Sequence, residues 1–204
     1  MQLIGMLDSP YVRRVAISLR LLGLPFEHRS VSVFRAFEAF SRINPVVKAP
    51  TLVCDDGEVL MDSTLILEHA EALAAPGRTL MPGSVIERRH ALRSIGLALA
   101  ACEKAVQIIY EHELRPAEKR HAPWLERIHG QLAAAYAELE GELAKRPLAC
   151  EEATLTQAGV TAAVVWSFTQ MMLPGVVGPD RHPRLAAFAG DAERLPVFTG
   201  LPQR

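Results

Sequence analysis

The run Asn44 to Val53 (NPVVKAPTLV) constrains this chain most, because it sets Ala49-Pro50 immediately before the apolar, strand-like stretch Thr51 to Cys54. Proline lacks a backbone N–H, so within a sheet it is confined to a strand entrance or an edge, and a strand must begin just after it. The residues leave the isomer of the Ala49-Pro50 bond open. A cis bond would turn the backbone of Ala49 toward a groove, where it could offer an extended peptide one strand's worth of hydrogen bonds.

Downstream, Asp56-Gly57 lies between two short apolar runs and predicts a two-residue hairpin joining strands near 51–54 and 58–61. Asp62 or Ser63 then caps a helix with Leu65, Ile66, His69, Ala70 and Leu73 at three- and four-residue spacing, ending near Ala75-Pro76-Gly77. A hydroxyl and the N–H groups of a helix N-terminus suit a carboxylate, and the Asp62 carboxylate suits an ammonium, so this segment could hold both ends of an amino-acid zwitterion. It could equally serve only as a cap.

Upstream, residues 2–7 (QLIGML) read as a buried strand, and Ser9-Pro10 opens a helix with Val12, Val15, Ala16, Leu19 and Leu22 on one face, stopped at Gly23 to Pro25. Phe26 to Val33 reads as a second strand, and Ala36 to Phe40 suggests a short helix. Strand, helix, strand implies a right-handed crossover between parallel strands. The first half is therefore an α/β, thioredoxin-like domain of order βαβ then αββα, built on one mixed sheet.

Proline and glycine gather between Ala74 and Ser84, and beyond them the pattern is helical. Leu92, Ile95, Leu99, Cys102, Val106 and Ile109 trace one long amphipathic helix, and Leu125, Ile128, Leu132, Ala135 and Leu139 a second. A buried helix follows through Ala162, Val165, Trp166 and Thr169, with Thr154 and Gln157 fitting a capping box before it. The expected organisation is a first domain over 1–76, a linker over 77–84 and an all-α bundle over 85–204.

At 204 residues and 50% hydrophobic content the chain can fill two small cores, and a net charge of −1 with no basic block argues against nucleic acid or an anionic membrane as partner. No apolar run reaches the length of a membrane span, and the N-terminus enters a strand directly, which reads as cytoplasmic. Cys54, Cys102 and Cys150 form no C-x-x-C pair and read as reduced thiols, the first two as core. The seven histidines show no metal-ligand spacing, so no metal is expected.

Taken in order, the first strand leading into SPYVRRV (9–15), the NPVVKAPTL segment and the acidic-Ser pair Asp62-Ser63 resemble the soluble glutathione transferases, most closely bacterial and theta-like members with a serine active site. The resemblance spans nearly the whole chain. It implies a cis Pro50, an Ala49 backbone paired with the cysteinyl part of glutathione, Asp62 and Ser63 on its γ-glutamyl end, and Ser9 facing its thiol. Lys48 would suit the glycyl carboxylate, or be a solvated loop charge. Arg13 reads as a surface residue. This chain departs from the pattern usual in the family it resembles, Ser or Thr followed three residues later by Asp, since Thr156 is followed by Gly159.

The implied activity is detoxifying transfer: a bound thiol, ordinarily with pKa near 8.5, is held as thiolate by the Ser9 hydroxyl and the dipole of the helix at Pro10, and attacks a small, hydrophobic electrophile. The acceptor pocket is expected between the domains, with Phe34, Tyr110 and Trp166 as candidate lining, although an aromatic at helical spacing also suits plain core. A homodimer is implied. A glutathione-dependent reductase or isomerase would show cysteine at or around position 9, and a transferase-like binding module often lacks the acidic-Ser pair; this chain keeps Ser9, Asp62 and Ser63.

Overall fold

The computed structural model describes residues 1–203 and divides into two compact units, Met1–Leu80 together with the segment from Arg194 onward, and Met81–Glu193. The first unit holds a four-stranded mixed sheet in the order β2-β1-β3-β4. Strand β1 (Gln2–Ile4) runs parallel to β2 (Glu27–Arg29) and antiparallel to β3 (Thr51–Val53), which pairs antiparallel with β4 (Val59–Met61). This is the thioredoxin-like arrangement that the order of sequence signals implies.

Helix α1 (Pro10–Leu21) follows β1 and α3 (Ser63–Leu73) follows β4, and the two pack against each other. The short α2 (Phe37–Ser41) anchors itself through buried Phe40. Helix α1 ends in a Schellman motif: the amide of Leu24 donates to the Leu19 carbonyl and that of Gly23 to the Arg20 carbonyl, with Gly23 at φ 73°. Between β1 and α1, Gly5 (φ 136°) lies so close to Val12 and Ala49 that a Cβ would meet a Val12 methyl at 2.6 Å. A side chain there would push the Ala49 loop outward.

Both early strands are shorter than the sequence predicts, 2–4 instead of 2–7 and 27–29 instead of 26–33. The hairpin also differs. The amide of Gly57 donates to the Cys54 carbonyl and that of Cys54 to the Glu58 carbonyl, which makes a three-residue loop of Asp55, Asp56 and Gly57. Gly57, at φ 91°, takes the left-handed position that closes such a loop, so it is the last loop residue and not half of a two-residue turn. Cys54 is only partly buried, with its thiol 3.8 Å from His69 Nε2, whereas Cys102 is in the core as expected.

The second unit is helical: α4 (Val85–Glu113), α5 (Ala122–Lys145), α6 (Gln157–Met172) and α7 (Pro183–Ala192). Long α4 packs on α5 and α6 along a buried stripe that includes Ala91, Ile95, Ala98, Ala101, Cys102 and Ala105, and Leu92 stands outside it, 53% exposed. Helix α6 is apolar nearly all round because it lies at the centre, and Tyr136 reaches it from α5, its hydroxyl donating to Thr169 Oγ1 at 2.6 Å. Buried Glu140 accepts the amides of Arg184 and Leu185, capping α7 from a neighbouring helix.

The cap of α6 corrects the sequence reading. Thr156, not Thr154, is the N-cap, and its hydroxyl accepts the amide of Gly159 at 3.3 Å. Thr154 donates instead to the Glu151 carbonyl and Gln157 to Thr161. A Cβ on Gly159 would meet Leu155 at 2.9 Å and Phe188 at 3.2 Å, so glycine stands where a carboxylate is expected because α7 packs against that face.

The segment from Arg194 onward was expected in the bundle domain, yet it groups with the first unit. Its helix α8 (Pro196–Thr199) packs on α1, burying Val197, Phe198 and Leu201. Apolar residues at its end cover the face of α1 that the sheet leaves open, which is sufficient reason for the tail to return.

Candidate functional site

The first unit gathers several of the predicted residues around the start of α3. The Ala49-Pro50 bond is cis, and Pro50 leads directly into β3. The loop before it is ordered by Asn44, a buried side chain that the sequence reading did not single out. Its Nδ2 donates to Thr51 Oγ1 at 2.9 Å, its Oδ1 accepts the Val46 amide, and Thr51 in turn donates to the Lys48 carbonyl at 2.7 Å. Among the described residues the Ala49 backbone makes no hydrogen bond.

Asp62 is the N-cap of α3, its Oδ1 accepting the Thr64 amide at 2.9 Å. It holds φ 74° and ψ 124°, a conformation that side-chain-bearing residues rarely adopt and that costs on the order of 1–3 kcal/mol. The same carboxylate faces Lys48, with Nζ and Oδ2 4.0 Å apart, so the loop charge and the acidic cap share one place on the surface. Both side chains are about half exposed, and the pair adds little to stability.

Ser63 is buried, and its hydroxyl accepts a hydrogen bond from Arg14 Nη1 at 3.0 Å. Arg14 also reaches Thr64 Oγ1 at 3.3 Å and is only 1% exposed. Its neighbour Arg13 is buried as well, and not a surface residue: Nε donates to the Leu201 carbonyl at 2.9 Å and the guanidinium lies over the Phe198 ring. No local signal marks either arginine, because their partners Leu201, Phe198, Ser63 and Thr64 are remote in the chain.

Ser9 is the N-cap of α1, accepting the Val12 amide at a long 3.4 Å. A hydroxyl that accepts through one lone pair keeps its own hydrogen to donate, so capping and donation are compatible here. The loop before Ser9 is held by Gln203, whose amide donates to the Asp8 carbonyl at 3.4 Å.

The three aromatic candidates have different environments. Phe34, in the loop before α2, is 58% exposed. Trp166 is 5% exposed and packs edge-on against Tyr136, with ring centroids 5.4 Å apart, and beside His182, so its surroundings are bundle core. Tyr110 is 44% exposed and lines a groove in the second unit with Gln107, Glu111, Leu114, Arg115 and Trp124. Partial burial there raises the Tyr110 phenol above its ordinary pKa. Glu111, within that groove, is held by Arg115 at 3.1 Å and by the His121 amide. Trp124, one residue before Leu125 in the first turn of α5, was not singled out by sequence because it falls outside that helix's apolar stripe.

Among the described residues no group of side chains could hold a metal ion, and no helix is long and apolar enough to cross a membrane.

Comparison with known proteins matches this geometry. Residues 3–78 match the family described as glutathione S-transferase, N-terminal domain. A glutathione S-transferase from Methylobacterium radiotolerans JCM 2831, in complex with glutathione sulfonate, superposes with a TM-score of 0.89 at 28% identity, over 100% of this chain and 95% of its own. A glutathione transferase family member from Pseudomonas fluorescens Pf-5 with bound glutathione gives 0.83 at 26% identity, over 100% and 98%. The uncharacterized GST-like protein YibF of Escherichia coli K12 is 27% identical over 86% of each chain. Residues 3–78 thus resemble the glutathione S-transferase N-terminal domain, and the whole chain has the fold of these solved glutathione transferases.

Proposed function

We propose that this protein is a glutathione transferase that binds glutathione in its first unit and delivers the thiolate to a small, hydrophobic electrophile. The observation that carries this reading is the meeting of Lys48, Asp62 and Ser63 at the start of α3, beside an Ala49 backbone that has no hydrogen-bond partner among the described residues. Similarity to chains solved with glutathione and glutathione sulfonate supports it.

In this scheme the Ala49 amide and carbonyl pair with the cysteinyl residue, as a strand edge pairs with an added strand. Asp62 receives the γ-glutamyl ammonium and Ser63 its carboxylate, while Lys48 takes the glycyl carboxylate. Asp62 Oδ1 already serves the Thr64 amide, so Oδ2, which faces Lys48 Nζ at 4.0 Å in the free protein, is the oxygen that would take the ammonium as Lys48 turns to the glycyl carboxylate. Ser9 donates to the sulfur, and with the N-terminus of α1 it lowers the thiol pKa; a drop of ~2 units corresponds to about 2.7 kcal/mol. The protein would act as a cytoplasmic homodimer without a metal.

Calorimetric titration with glutathione tests the binding step, and conjugation of an activated aryl halide tests the transfer. Saturable binding, weakened at least tenfold by Asp62→Ala, is expected, since a charge-assisted hydrogen bond is worth about 1.5–3 kcal/mol. A folded protein with no measurable affinity overturns the proposal. Sedimentation at micromolar concentration should give twice the chain mass.

A further inference from the structure

The geometry points to Arg14 as a positioning residue for the γ-glutamyl carboxylate of glutathione, acting from beneath through Ser63. The inference rests on the binding mode proposed above. Arg14 projects from α1, not from the segment that would touch the ligand, and its guanidinium is withdrawn from water. From there Nη1 donates to Ser63 Oγ at 3.0 Å and Thr64 Oγ1 at 3.3 Å, the first two side chains of α3.

Two physical effects follow. A hydroxyl oxygen that accepts from a guanidinium must send its own hydrogen elsewhere, so the Ser63 O–H is turned away from Arg14 and is available to a ligand oxygen. Accepting from a cation also polarises that O–H and strengthens it as a donor. The buried charge meanwhile lies next to the N-terminus of α3, where the helix dipole already favours an anion, and the low surrounding dielectric keeps it from being screened as a surface lysine would be. Both effects act on a carboxylate seated at Ser63. Neither acts on the ammonium held by Asp62 or on the cysteinyl and glycyl portions.

The test uses that selectivity. Affinities of wild type and Arg14→Met are compared for glutathione and for its analogue lacking the γ-glutamyl α-carboxylate (4-aminobutanoyl-cysteinylglycine), with a thermal melt on each protein. The expected result is a loss of roughly tenfold or more for glutathione and less than about twofold for the analogue, because only the former presents the carboxylate. In a Ser63→Ala background the same Arg14 substitution should cost less glutathione affinity than in the wild type, since the hydroxyl relay is already cut and only the direct effect of the buried charge remains. Should Arg14→Met fail to fold, Arg14→Lys carries the same comparison: it keeps the charge but loses the planar fork, and its loss should again be confined to glutathione. Equal weakening of both ligands, or a lowered melting temperature with both affinities unchanged, overturns the inference and assigns Arg14 to structure alone. Absence of glutathione binding in the wild type would instead overturn the underlying reading.

Discussion

Arg13 Nε donates to the carbonyl oxygen of Leu201 at 2.9 Å, tying α1 to a residue 188 positions later in the chain. The same guanidinium lies 5.4 Å from the centre of the Phe198 ring, so one buried arginine holds the returning tail twice. Phe198 is fully buried, and Phe198→Ala should destabilise the first unit by about 3–5 kcal/mol. Amide hydrogen exchange in α1 is the measurement to use, because both tryptophans, Trp124 and Trp166, lie in the other unit and would not report the change. Unaltered protection in α1 would contradict this account.

Asp62 separates stability from binding. Its φ of 74° suits glycine, so Asp62→Gly should melt at or above the wild-type temperature, while Asp62→Ala should lose about 1 kcal/mol from the missing cap with the strain retained. Both variants should weaken glutathione at least tenfold through loss of the carboxylate. Calorimetry beside thermal melts distinguishes the two effects, and wild-type affinity in Asp62→Gly would remove Asp62 from the binding scheme.

Ser9→Ala addresses thiol activation. If the hydroxyl donates to sulfur, the pKa of bound glutathione should rise by at least ~1 unit and turnover should fall, with affinity below that pKa little changed. Because the capping bond to Val12 is long, the stability loss should stay near the low end of the usual range, about 0.5 kcal/mol. Ultraviolet absorbance of the thiolate against pH decides it; an unmoved titration leaves Ser9 as a cap.

Glu142 gives the second unit an acid sensitivity. Its hydrogen bond from Arg93, above all, together with those from Lys145 and the nearby positive charges, holds its carboxyl below the ordinary range despite an opposing effect of burial. A group whose pKa is depressed on folding stabilises above its unfolded value, near 4.3, and that contribution is lost as pH falls through the folded value. The melting temperature of Glu142→Gln should therefore lie below wild type at pH 7, with the gap closing as the pH falls below the ordinary carboxylate range. A gap independent of pH would show that the carboxylate charge is not involved.

The order of elements and the site segment were legible in the sequence because each has a local cause: a proline that must start a strand, caps at Ser9 and Asp62, a glycine at the hairpin. What escaped depends on residues distant in the chain. Glycine stands at 159, three residues after the Thr156 cap, because Phe188 and Leu155 leave no room for a side chain there. Arg13 looked like a surface charge and Arg14 was not singled out, because nothing local announces Leu201 or Ser63 as partners. Asn44 reads as an ordinary turn residue until Thr51 is seen against it. Trp166 has helical spacing that fits core and pocket alike, and only its neighbours Tyr136 and His182 tell them apart.

The return of the tail to α1 also imposes an order on synthesis. When Leu80 has been made, the sheet and both its main helices exist in the nascent chain, yet Phe198 and Leu201 lie more than a hundred codons ahead. At roughly 5–20 residues per second, the apolar flank of α1 waits on the order of ten seconds for its cover. The bundle, contiguous from Met81 to Glu193, is complete before then. The domain begun first is thus finished last, and its unfinished interval is when a chaperone, or a second nascent chain, would find it open.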